Sequence, residues 1–236
     1  MKTLTIKLTA PLQAYGNEAS FERRTSWPGP SKSAIIGMIA AALGLRRDSE
    51  QIGELNSLAF AVRIDQPGKI MTDFHTVEWK SGKRKLTYRD YYQDAVYIVA
   101  VESEDERRID QIQYALLHPH FQLYLGRRAC PPAGVLQTTC YERISPVEAL
   151  EQHPWQAETW YQKKYIKDEI YTTSIIADAD LLPNANYTQT QKDLVKSFSA
   201  KNRKFGFRVI AKKRVGLKNP CYIASEKREL DVMDYL

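Results

Sequence analysis

The chain has 236 residues, 43% hydrophobic and 26% charged, a balance that suits a globular protein and excludes extended disorder. Lys and Arg exceed Asp and Glu by 34 to 28, giving a net charge of +6, which points towards an acidic partner. Cys130, Cys140 and Cys221 fit neither a zinc knuckle nor a redox pair by spacing. Free thiols in a reducing compartment are therefore expected, with no metal and no other cofactor.

Residues 2–8 alternate polar and apolar, so Leu4, Ile6 and Leu8 share one face of a strand that Pro11 closes. This segment lacks a signal peptide's apolar core, and no later stretch approaches the roughly 20 apolar residues of a membrane span. A cytoplasmic protein without membrane contact is expected. Residues 13–30 hold Gly16, Gly29, two prolines, Arg23, Arg24 and Trp27 and read as a long loop, which in a compact domain is more often functional than idle. Ser31 is the expected N-cap of a helix running to about Leu43, with Gly44 as its stop. That helix is apolar almost all round and should be deeply buried.

Residues 58–64 predict a second strand. Residues 72–79 and 85–92 predict a hairpin turning at Ser81-Gly82-Lys83. It carries Lys80, Lys83, Arg84, Lys85 and Arg89 and lacks a clean apolar face, which fits a projecting basic ribbon. Residues 95–101 predict a buried strand. Ser103 with Glu106 predicts a capping box for a helix to about Leu117, ended by Pro119. Residues 120–125 predict a short strand entering a Gly-Arg-Arg loop. The order β-α-β, hairpin, β-α-β is the split βαβ or ferredoxin-like pattern of RNA-recognition domains.

A break follows at Ser145-Pro146. The expected architecture is α+β: a ferredoxin-like, RNA-recognition-type domain over 1–145 with a hairpin thumb at about 72–92, then a small β-rich domain over 146–236. Basic charge is concentrated in 192–218, where ten Lys and Arg face Asp193 alone, as a nucleic-acid surface requires.

The loop Leu125–Pro131 has the strongest chemical rationale for RNA. Gly126 would let backbone approach a ligand, and Arg127 and Arg128 offer planar forks that match phosphate oxygens. A surface turn with arginines paired to carboxylates is the plain alternative. At the helix start, Ser31, Lys32 and Ser33 add polar groups to free N–H groups and the positive end of the dipole, although simple capping explains the spacing as well. His75 lies on the basic ribbon, where stacking or phosphate contact is as good a reading as catalysis. His118 or His120 near Arg127 would suit a metal-independent ribonuclease as general base, or merely cap a helix end.

Several stretches in order resemble the CRISPR-associated protein family five, in the CasD-type branch of type I-E Cascade complexes. They are Ala10–Gly16, Pro30–Ser33 with Ile36-Gly37 and Leu43–Leu45, Asp73–Val77, Tyr88–Tyr91, and Leu125–Pro131. The resemblance spans residues 10–131, with a looser match over Ser197–Val215. It implies a non-catalytic subunit that caps the 5′ handle of the CRISPR RNA in antiviral defence. The implied partners are that RNA, the Cascade backbone and large subunits, and target DNA indirectly through the complex. Arg127, Arg128, Lys32 and Ser33 would hold phosphates, His75, Arg84 and Arg89 would serve the thumb, and Gln13 and Tyr15 would meet handle bases. Arg23 and Arg24 would meet RNA or a partner subunit. The alternative is a metal-independent endoribonuclease acting on CRISPR repeat RNA, as some relatives are.

Overall fold

The computed structural model describes residues 1–16 and 22–224. It is an α+β structure with β1 (Lys2–Thr9), the short β2 (Leu12–Gln13), β3 (Tyr15–Gly16), β4 (Arg23–Arg24) and β5 (Ser26–Trp27), then α1 (Lys32–Ala42) and α2 (Gln51–Glu54). There follow β6 (Ala59–Gln66), β7 (Lys69–Lys80), β8 (Lys83–Gln93), β9 (Val96–Ser103), α3 (Glu106–Leu117), β10 (Gln137–Glu142), α4 (Pro146–Gln152) and α5 (Thr159–Gln162). The strands β11 (Ile170–Asp178), β12 (Thr188–Ser197) and β13 (Lys204–Lys218) complete it.

Seven strands form one antiparallel sheet in the order β10-β1-β9-β6-β11-β13-β12. The sheet continues across residue 145, because β11 pairs with β6 at Ile175–Ala177. The central strands β6 and β9 each serve two cores. Leu4, Ile6, Leu8, Phe60, Val62, Tyr97, Val99 and Val101 pack with residues of α1 and α3. Ala61, Ile98 and Ala100 face the other way, against Val147 and Leu150 of α4 and Ile175 and Ala177 of β11. The unbroken apolar run at 95–101 thus follows from cover on both faces. A third cluster joins Trp155 to Tyr161, Tyr165 and Tyr171, with the Trp155 and Tyr171 rings stacked at 4.3 Å.

Three local expectations need correction. The cap of α3 is Asp105, whose carboxylate accepts from the Arg107 N–H at 3.1 Å; Ser103 accepts only from the Asp105 N–H. Residues 120–125 form no strand, and the strand after α3 is β10, beyond the arginine loop. Backbone groups there are satisfied across elements instead, as where Phe121 N–H donates to the Ala41 carbonyl at 3.1 Å. The long loop at 13–30 contains β2 to β5, which pair with β8 or with each other, while its residues 17–21 lie outside the described residues.

The hairpin is β7–β8, longer at its base than the sequence predicts, with Gly82 at φ +73° in the turn. It holds β2 and β4 at its base and belongs to a separate four-stranded sheet. At the other pole, Arg63 and Asp65 of β6 are fully buried and paired at 2.6 Å. Arg63 also donates to the carbonyls of Leu150, His153 and Pro154, which locks the segment after α4 onto the sheet. No helix among the described residues is long and apolar enough to cross a membrane.

Candidate nucleic-acid interface

The outward face of α1 floors a cleft of about 1700 Å³. Ser31 caps the helix by accepting from the Ala34 N–H at 3.3 Å. The apolar bulk of Ile35, Ile36 and Ile39 faces the sheet, leaving Ser33, Ala34, Gly37 and Ala41 towards the cleft. One wall comes from residues 24–27 and 121–128, the other from the β12–β13 connection, where the Phe198 ring lies against Gly37. Among the described lining residues, Arg24, Arg46, Arg47, Arg127, Arg128, Lys192 and Arg203 face the single carboxylate of Asp48. Trp27, Phe121, Tyr124, Phe198 and Phe205 stand between them. Cations interleaved with aromatic rings in a groove are the features that bind a single strand, by phosphate pairing and base stacking.

The loop Leu125–Pro131 enters this cleft as a closed turn. Leu125 N–H donates to the Cys130 carbonyl at 2.7 Å, and Cys130 N–H to the Arg127 carbonyl at 2.9 Å. Burial pushes the Cys130 thiol up, so it sits in the turn as an inert anchor. Gly126 has φ +95°, and a Cβ there would stand 1.7 Å from the Ala14 carbonyl oxygen. The partner that needs this glycine is therefore the backbone of Ala14, not a ligand. Arg127 donates to the carbonyls of Asp90 (3.1 Å) and Arg24 (2.7 Å) and lies over the Tyr91 ring at 4.9 Å. It fastens the loop to the hairpin base, with its remaining surface in the cleft. Arg128 is exposed beside it and is the freer of the two guanidiniums for an external anion.

Other expected residues divide sharply. Gln13 and Tyr15 are 0% and 1% exposed, so they cannot meet handle bases as they stand. Gln13 donates to the Ala95 carbonyl at 2.7 Å, and the Tyr15 hydroxyl donates to Gln13 Oε1 at 2.7 Å. Lys32 is also buried, paired with Asp178 at 3.0 Å, and cannot hold a phosphate. An anion does occupy the start of α1, but it is Asp193, which accepts from the Lys32 N–H at 2.8 Å. Arg208 bridges Asp193 (2.6 Å) and Asp178 (2.7 Å), closing a buried network of two cations and two carboxylates. Burial opposes the Arg208 charge, but its bonds to Asp193 and Asp178 outweigh that and raise its pKa. Ser33 remains at the cleft.

Arg23, His75, Arg84 and Arg89 do not line the cleft. Arg23 pairs with Asp90 at 3.3 Å, and Arg84 lies 3.6 Å from Glu78. On one face of the hairpin His75 Nε2 lies 2.7 Å from Asp73 and 3.4 Å from Arg89. Phe74, Tyr88 and Leu86 share the opposite face, so the ribbon does have an apolar side. His118 stacks on Tyr114 at 4.5 Å, and His120 packs by Gly44; neither lines the cleft.

Sequence reasoning overlooked Arg46, Arg47 and Trp27 as cleft residues. Arg46 and Arg47 follow the helix stop at once, so their charge at the end of a buried helix is the signal that pointed there. Lys192 and Arg203 lay within the recognised basic segment, but only the fold brings them to α1.

Residues 3–210 match the model of the family described as CRISPR-associated protein (Cas_Cas5). The chain is similar to the CRISPR system Cascade subunit CasD of Escherichia coli (strain K12), at 30% identity over 167 residues, 62% of this chain and 75% of that one. It is similar to a chain of a solved CRISPR RNA-guided surveillance complex, with a TM-score of 0.72, 28% identity and 95% of both chains covered. A solved Cas protein gives a TM-score of 0.66 at 26% identity, covering 94% of this chain and 98% of that one.

Proposed function

Because the chain belongs to the CRISPR-associated Cas5 family, we propose that it is a non-catalytic subunit of a type I-E Cascade complex that grips the 5′ handle of the CRISPR RNA. The observation that carries this reading is the cleft over α1, where seven cations and five exposed or half-buried aromatic rings meet one carboxylate among the described residues. Such a site suits an unpaired strand, whose bases stack on the rings while its phosphates pair with guanidiniums. Arg128 is the direct phosphate contact from the loop, with Ser33 and Arg24 beside it, and Arg127 holds the loop in place while facing the same strand.

In this reading the element order β1-α1-β6-β9-α3-β10, with sheet order β10-β1-β9-β6, is a ferredoxin-like domain over 1–145. Residues 146–236 form a smaller domain added edge to edge through β11. The β7–β8 hairpin is the thumb that meets the guide and the adjoining backbone subunit, with His75, Arg84 and Arg89 on it and Arg23 at its base. The large subunit, and target DNA through the complex, complete the partners of a cytoplasmic assembly. The ribonuclease alternative gains nothing from His118 or His120, which stand outside the cleft.

Co-expression with the other Cascade subunits and a guide RNA tests the proposal. The chain should join the complex and bind handle RNA, with affinity falling steeply as salt rises. Failure to join would remove it. Incubating the pure chain with repeat RNA and no divalent metal separates the ribonuclease: cleavage at one position, abolished by His118→Ala or His120→Ala, would overturn the non-catalytic reading.

A further inference from the structure

Arg47 and Arg203 both line the cleft over α1. Partial burial, and then the charge of Arg47 beside it, hold the Arg203 guanidinium below the ordinary arginine pKa. Two arginines brought together would normally recruit a carboxylate, as Arg208 does with Asp178 and Asp193 a short way along the same strand. Here none does. Asp48 lines the same cleft yet forms no ion pair with either one, and no other carboxylate pairs with them among the described residues. Arg203 is held in place by rings rather than by charge, over Phe205 at 5.1 Å and Phe198 at 5.9 Å. Phe198 is itself seated on α1, its ring 3.5 Å from where a Gly37 Cβ would stand. Two exposed guanidiniums opening on one cleft, with no carboxylate partner among the described residues, suit an anion supplied from outside.

Arg203 reaches the cleft from the β12–β13 side of α1, whereas Arg128 belongs to the loop that follows segment 120–121. Segment 120–121 is bonded to the end of α1 at Ala41 and Ala42 on one side, and Phe198 packs on Gly37 from the β12–β13 side. We propose that Arg47 and Arg203 form a second phosphate-binding station, so that one RNA strand crosses the outward face of α1 and is pinned at both walls of the cleft. The inference rests on the RNA-binding reading of that cleft and adds its far anchor. Phe198 and Phe205, flanking Arg203, would stack the base next to that phosphate. The floor between the stations is Ala34, Gly37 and Ala41, which leaves room for a ribose or base to lie close to the helix.

The test uses the full chain and a fluorescent single-stranded RNA of about eight nucleotides, within the usual footprint of a single-strand groove. Binding is measured across a salt series for the wild type, Arg128→Ala, the double variant Arg47→Ala/Arg203→Ala, and Arg47→Lys/Arg203→Lys. The double alanine variant should bind about tenfold more weakly or worse. Its plot of log affinity against log salt should be shallower by about 0.7 for each phosphate that is no longer neutralised. Its melting temperature should change little, because both residues are exposed and neither forms an ion pair among the described residues. The lysine pair should recover most of the salt slope and only part of the affinity, since charge returns without the planar stack.

The outcomes separate cleanly. If the wild type fails to bind RNA, the reading of the whole cleft falls. If the wild type binds and Arg128→Ala weakens it, but the double alanine variant matches the wild type in affinity and slope, only the second station falls. A lowered melting temperature with unchanged affinity would make the pair structural and overturn the inference. Unchanged RNA binding with failed assembly into the complex would assign the pair to an acidic surface of a partner subunit, and would overturn it too.

Discussion

Gly126→Ala probes the hinge on which the arginine loop depends. The added methyl would stand 1.7 Å from the Ala14 carbonyl oxygen, far inside van der Waals contact, on a backbone already at φ +95°. Holding a side-chain-bearing residue in that region costs about 1–3 kcal/mol. The clash must also be relieved by parting the loop from residue 14, which breaks the 3.2 Å bond from Ala14 N–H to the Leu125 carbonyl and removes about 1 kcal/mol more. A total loss of about 2–4 kcal/mol should lower Tm by roughly 5–15 °C in a chain of this size. Gly82→Ala is the matched control, since it has a similar φ of +73° but nothing within 4 Å of its Cβ, and should lose only the backbone part of about 1–3 kcal/mol. Thermal unfolding followed by circular dichroism reads both, and RNA affinity measured below the transition reads the loop. Gly126→Ala should lose affinity through displacement of Arg127 and Arg128, whereas Gly82→Ala should keep it. If the two variants melt together, the close approach to Ala14 is not what fixes this loop, and the reasoning fails.

Asp193→Asn strips one carboxylate from the buried network and leaves Arg208 and the start of α1 undercompensated. Urea unfolding should show a loss of about 3–5 kcal/mol. His153 is half-buried, with Tyr141 Oη 2.8 Å from its Nδ1, and burial followed by the Arg63 charge lowers its pKa from the usual 6.5. Because the folded state resists its protonation, the stability it confers is fully present above about pH 6.5 and declines as pH falls below that. His153→Gln should flatten this acid limb, and an unchanged slope would refute the assignment. The apolar face of the hairpin leads to a different expectation: Phe74→Ser with Leu86→Ser should make the isolated chain less prone to self-association in light scattering, and weaken its capture by the assembled Cascade subunits.

The elements legible in the sequence are those whose signals are local. Ser31 and Gly44 bracket α1 because capping and helix termination are decided within one turn, and Gly82 marks the hairpin for a similar reason. Asp105 displaced Ser103 as a cap because two good caps two residues apart cannot be ranked from spacing alone. The partners of Lys32 were beyond reach, since Asp178 and Asp193 lie 146 and 161 residues away along the chain. A lysine at a helix start looks the same in sequence whether it waits for a phosphate or answers a distant aspartate. Gln13 and Tyr15 fail for a related reason: they satisfy one another, and a polar pair two residues apart on short strands reads equally well as exposed.

The buried network and the cleft are two ends of one arrangement. Residues 192–218 carry ten cations, and the fold sorts them by what meets them. Arg208, on the inner face of β13, finds two carboxylates and becomes a strut between the C-terminal strands and α1. Arg203, just before the same strand, lies over the Phe198 and Phe205 rings and has no carboxylate partner among the described residues. Five residues apart, one guanidinium is satisfied internally and the other, among the described residues, meets no carboxylate. The same excess charge is thereby put to two uses: Arg208 ties β13 to Asp178 and to Asp193, which accepts from the start of α1, while Arg203 lies over the Phe198 ring that packs by Gly37. An arginine that lies over aromatic rings has less freedom to lose on binding than one without such contacts. Disabling Asp193 should accordingly weaken RNA binding as well as stability, although Asp193 is buried and on this account never touches the strand.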